Sequence, residues 1–129
     1  MINMVRKVYT ATNASSSGPY SHAVDGGDYI FFSGQTAMNA NDATDLTGDI
    51  AAQTHQCFNN LHNVMEQAGV TFDDVLKVNV YLTSMKNFKA MNEVYETYFE
   101  APYPARTCVA VLELPLEADV EIELIAKRA

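Results

Sequence analysis

The residue pattern predicts an α+β domain with two helices on one face of a β-sheet, in the order β-β-α-β-α-β-β. Apolar residues recur three and four apart over 49–68 and again from Phe88 to Phe99, the period of an amphipathic helix. Residues 75–82 alternate like a half-buried strand, and strand patterns return at 106–112 and 119–127. A chain of 129 residues suits one domain and leaves little room for two, so 1–129 is read as a single domain.

Each element has a local reason. RKVYT (6–10) suits a short strand, and NASSSGPYSHAV (13–24), with its Ser run, Gly18 and Pro19, reads as a loop or turn. A Gly26-Gly27 turn leads into a strand rich in aromatics, Tyr29 to Phe32, which ends at Ser33-Gly34. NANDATDLTGD (39–49) is a loop. On the first helix Ile50, Thr54, Cys57, Leu61, Val64 and Ala68 share one face, with Gln53, Gln56, Asn60, Asn63 and Gln67 off it. Asp49 suits the positive end of the helix dipole, and Gly69 is a natural left-handed stop. Ser84 can cap the second helix, where Phe88, Met91, Tyr95, Tyr98 and Phe99 repeat until Pro102 and Pro104 bar continuation. A turn around Pro115 joins the last two strands.

If those two strands pair as a hairpin, burial decides which faces match. Val109 and Val111 then join Val120, Ile122 and Leu124 beneath the helices, and a one-residue slip would bury the glutamates. That register puts Arg106 and Cys108 on the face that carries Glu121 and Glu123. A face mixing charge with Cys108, Ala110 and Ile125 is neither core nor ordinary surface. The expectation is a second subunit that covers it and leaves the charges around a cleft.

Bulk composition narrows the function. Eight basic against sixteen acidic residues give a net charge of −8, and the basic residues form no stripe, which argues against a nucleic-acid partner. No run approaches the roughly 20 apolar residues of a membrane span, and no secretory pattern follows Arg6 and Lys7, so a soluble cytoplasmic protein is expected. Cys57 and Cys108 have neither CxxC spacing nor a disulfide framework and read as buried thiols. His55 and His62 stand seven apart on one helix, not the four that favours zinc, so no metal is expected; His22 is a weak candidate for the cleft.

Several motifs together are characteristic: SGPYSHAV, FFSGQTAM, NLHNVMEQAGVTFDDVLKVNVYL, FKAMNEVYETYF and PARTCVAVLELPLEADVEIELIA. In order and over nearly the whole chain, they resemble the Rid family of enamine/imine deaminases, also called YjgF or L-PSP. The resemblance implies a chorismate-mutase-like fold assembled as a homotrimer with ligand clefts between subunits. It implies cofactor-free, metal-free hydrolysis of 2-imino acids such as 2-iminobutanoate and 2-iminopropanoate to 2-oxo acids and ammonia. Carried over by motif, Arg106 grips the substrate carboxylate and Glu121 positions or activates the attacking water. Tyr20, Ser33 and Cys108 match substrate-binding positions, and Asn92 and Gly34 match structural positions near the site. Loop 39–49 lacks the family's common TGE-type turn, which bears on the cleft rim.

The chemistry suits these residue types. An arginine fork binds a carboxylate through two parallel hydrogen bonds, and a carboxylate beside a protonated imine can align a water and take its proton. Several readings stay open on the residues alone. Arg106 could guard an edge strand, Glu123 could be the acid in place of Glu121, and Tyr20 could be packing. Ser33 lacks the G-x-S-x-G elbow of a hydrolase nucleophile, and no histidine is placed to pair with Cys108. The alternatives to a deaminase are a trimeric sensor of small carboxylic acids and, against the acidic balance, an endoribonuclease or translation inhibitor.

Overall fold

A computed structural model describes residues 5–14, 18–37 and 46–129; most of the expected loop 39–49 and the Ser15–Ser17 run lie outside the described residues. Six strands and two helices follow in the order β1 (Val8–Tyr9), β2 (Ala23–Asp25), β3 (Tyr29–Thr36), α1 (Ile50–Ala68), β4 (Val75–Leu82), α2 (Phe88–Tyr95), β5 (Ala105–Ala110) and β6 (Val120–Lys127). The expected α+β layer is present, with one strand more than the sequence pattern indicated. β2 falls in the stretch read as loop; its three residues are too few to show an alternation, and it forms by pairing with β3.

α1 has the expected limits. The Asp49 side chain accepts a hydrogen bond from the Ala52 amide, and Gly69 closes the helix at φ 73°, a left-handed conformation that glycine adopts without strain. Its buried face is wider than the apolar pattern. Gln53 and Asn60 are fully buried, each hydrogen-bonded across the core. Gln53 donates to Asp119 Oδ2 (2.7 Å) and accepts from the Asp119 amide (3.0 Å), tying α1 to the start of β6. Asn60 donates to the Thr36 carbonyl (3.0 Å), at the end of β3.

α2 is shorter than expected. A 3-10 turn, Met85–Asn87, capped by Ser84, precedes it, and the helix ends at Tyr95. Tyr98 and Phe99 follow in the next turn yet still pack inward, with Tyr98 stacked on Phe58 at 4.4 Å between centroids.

The sheet order is β1-β2-β3-β6-β4-β5, antiparallel throughout except for the β4–β5 pair. The expected hairpin between the last two strands therefore does not form. α2 is the crossover that a parallel pair requires, so β5 lies beyond β4 as an edge strand, while β6 enters between β3 and β4. This changes the faces. Arg106, Cys108 and Ala110 are in register with Val78, Val80 and Leu82, which in turn oppose Leu124, Ile122 and Val120. All six of those partners are buried beneath the helices. Arg106 and Cys108 thus lie on the helix side of the sheet, and Thr107 and Val109 on the open side, the reverse of the expectation. Pairing with β4 sets their face, and pairing with β6 does not.

The open side keeps Glu121 and Glu123 as expected, and it exposes large apolar groups: Tyr29 and Phe31 at 48% each and Val109 at 41%. Both cysteines are free thiols, but only Cys57 is buried as expected; Cys108 is half-buried because β5 is an edge strand. No helix among the described residues is long and apolar enough to cross a membrane.

Candidate active site

Two hollows, on opposite sides of the sheet, hold the expected residues other than Cys108. The first, about 290 Å³, is lined by Asn92, Tyr95, Glu96, Tyr103, Pro104 and Arg106. The parallel register of β5 aims Arg106 at α2, where its Nη1 donates to Asn92 Oδ1 at 2.5 Å. Its guanidinium carbon sits 4.6 Å from the Tyr95 ring centroid and 5.6 Å from that of Phe88. Arg106 thus lies on an edge strand, with its guanidinium held against α2.

The second hollow, about 260 Å³, is lined by Tyr20, Ser33, Gly34, Pro115, Glu121 and Glu123. A bulge in β3 between Phe32 and Gln35 brings Ser33 and Gly34 against β6. A Cβ on Gly34 would lie 2.9 Å from Glu121 Cδ, so the missing side chain is what lets the carboxyl lie against this strand. The Ser33 hydroxyl donates to the Ser21 carbonyl at 2.6 Å, which ties down the Tyr20 segment and suits a structural role better than a nucleophile's.

The two glutamates differ. Glu123 Oε1 accepts hydrogen bonds from Tyr81 Oη (2.5 Å) and Asn79 Nδ2 (3.1 Å). The bond to Glu123 is the main reason that the Tyr81 phenol is pushed up to about 12. Burial, helped by the negative charge of Glu123, raises the Glu121 carboxyl above its ordinary value. A carboxyl poised in this way is suited to taking and returning a proton, whereas Glu123 is engaged by two donors.

The model of the Endoribonuclease L-PSP family matches residues 10–128. A 2-iminobutanoate/2-iminopropanoate deaminase of Dermatophagoides farinae is 43% identical over 84% of this chain and 84% of that protein. The protein of the same name in Escherichia coli is 35% identical over 97% and 99%. The crystal structure of RidA from an Antarctic Psychrobacter superposes with a TM-score of 0.86 at 36% identity, covering 95% of this chain and 99% of that one.

The chain belongs to the L-PSP, or Rid, family.

Within this L-PSP chain the expected residues divide. Tyr20, Ser33, Gly34 and Glu121 come together in one hollow, and Arg106 and Asn92 in the other. Cys108 lies on the helix side against Val80; burial raises its thiol although the charge of Arg106 opposes this, so it is poorly suited to act as a thiolate. Arg106 and Glu121 do not meet within this chain. The histidines lie elsewhere: His55 pairs with Tyr98 Oη (2.8 Å), and His62 with Glu66 (2.7 Å). His22 is buried, its Nδ1 accepting from the Ala11 amide. Among the described residues no three His, Cys, Asp or Glu side chains converge as metal ligands. Sequence reading missed Tyr95 and Phe88 as neighbours of Arg106. Their spacing with Asn92 on one helix face was visible, but their target was not. It also missed Tyr81 and Asn79, which alternation along β4 places opposite the glutamates.

Proposed function

We propose that this L-PSP protein is a hydrolytic deaminase of small 2-imino acids, acting as a homotrimer. In each cleft the Arg106 hollow of one subunit meets the Glu121 hollow of the next. The observation that carries this reading is the split itself. An arginine and a carboxyl raised by burial line two open hollows on opposite faces of one sheet. The apolar groups exposed on the open face, and the names of the relatives that are 2-iminobutanoate/2-iminopropanoate deaminases, support it further.

In this reading the Arg106 fork binds the carboxylate of the imino acid and sets the orientation of C2. Water attacks C2 of the protonated imine as its proton passes to Glu121, forming a carbinolamine. The same proton then moves to the nitrogen, and the C–N bond breaks with release of ammonia. The C2 hydroxyl loses its proton to leave the 2-oxo acid. Acid–base help of this kind is worth about 10² to 10⁴-fold, enough for an already electrophilic substrate. Neither half-site is lined by a histidine, and the net charge of −8 does not favour RNA, so the ribonuclease named in the family's description fits these hollows less well.

The test couples threonine dehydratase to the protein and traps remaining imine with semicarbazide. Wild type should speed the loss of imine, and Arg106→Ala should abolish the effect while keeping the oligomer. No acceleration at any concentration would leave a binder of small carboxylic acids in place of an enzyme.

A further inference from the structure

Resting on the carboxylate-gripping role of Arg106, we propose that Tyr95, with Phe88 and Asn92, is a positioning residue for that arginine. Together they hold its guanidinium in the one orientation that presents a donor edge to the cleft. Phe88, Asn92 and Tyr95 stand at i, i+4 and i+7 on α2 and form one stripe facing β5. Both rings lie within the roughly 6 Å reach of a cation–π contact, and the Asn92 amide oxygen takes one of the five guanidinium N–H donors.

A long arginine side chain on an edge strand would otherwise sample many rotamers, and a fork binds bidentately only when its plane is fixed. Tyr95 is suited to fixing it because it is itself immobile. It is 5% exposed and packs on Phe58 and Phe99 in the core. Its hydroxyl is buried and has no hydrogen-bond partner among the described residues, so the ring is the part that acts. The coupling runs both ways, since the positive charge of Arg106 opposes the rise that burial imposes on the Tyr95 phenol.

The test is a double-mutant cycle on the full chain, reading 2-oxobutanoate affinity by calorimetry and imine turnover by semicarbazide trapping. Tyr95→Leu should weaken 2-oxobutanoate about tenfold and raise KM by the same factor, with kcat within about twofold. Tyr95→Phe, which keeps the ring, should restore affinity to within about twofold of wild type. In an Arg106→Lys background, which keeps a cation but not the planar fork and so retains weak, measurable binding, Tyr95→Leu should cost less than about threefold. The less buried Asn92→Ala, run through the same cycle, carries the test if Tyr95→Leu melts early. Equal losses in both Arg106 backgrounds, or a Phe variant as weak as the Leu variant, would overturn the proposal. The Arg106 Nε–H resonance separates this from the functional reading. It should be sharp in wild type and broadened in Tyr95→Leu whatever the ligand does; an unchanged resonance refutes the positioning role. Unaltered 2-oxobutanoate binding in Arg106→Ala refutes the carboxylate grip instead.

Discussion

Gly34→Ala should separate activity from stability. The new Cβ would lie 2.9 Å from Glu121 Cδ and 3.1 Å from both Cγ and Oε2. Carbon pairs rest at about 3.5–4.0 Å, so the carboxyl must move by about 0.6–1 Å. Only the end of a flexible side chain has to yield, and Gly34 does not hold a positive φ, so the fold accommodates the change. Alanine also restricts the unfolded chain, which offsets the contact by about 0.4–1 kcal/mol. A misplacement of about 1 Å at a reacting group can cost about 10²-fold, so kcat for imine hydrolysis should fall about 10 to 100-fold. Urea melts should place the variant within about 1 kcal/mol of wild type. The semicarbazide-trapping assay reads the first quantity. Activity within twofold of wild type would refute the reasoning that Gly34 exists to seat Glu121.

Three further outcomes concern Glu121 and Gln53. Because burial raises the Glu121 carboxyl from its ordinary 4.5, the folded state holds that proton more tightly than the unfolded chain does. Stability from this group is therefore greatest below pH 4.5 and declines as pH climbs through the folded value; Glu121→Gln should flatten that slope in urea melts while abolishing turnover. Wild-type kcat should fall with acid, because the base is lost when Glu121 is protonated. Gln53→Ala should lower stability by about 1–2 kcal/mol in the same melts, since it leaves the half-buried partners at Asp119 and Leu46 without their bonds to α1.

Much of the fold could be read from local pattern. Asp49 and Gly69 bracket α1 because caps act within a turn of the residue that makes them. The alternation of Val120 to Ala126 sets the open face of β6, and with it the side of Glu121. What depended on distant partners was not legible. Arg106, Cys108 and Ala110 differ too little in character from Thr107 and Val109 to declare a face, and only the parallel pairing with β4 assigns them. Gln53 and Asn60 read as lying off the apolar face because their partners, at Asp119 and Thr36, are remote in sequence. The site was legible in its members through motif resemblance, while the separation of Arg106 from Glu121 came only with strand order.

The central claim is that each working cleft takes Arg106 and Glu121 from different subunits. The most direct measurement mixes two inactive proteins, Arg106→Ala and Glu121→Ala, under conditions that exchange subunits, and then assays imine hydrolysis. A randomly mixed trimer population has one intact cleft in every mixed trimer, so activity should return to about a quarter of wild type. If the two residues act within one subunit, every cleft carries a defect, and mixtures that remain as inactive as their parents would contradict the account.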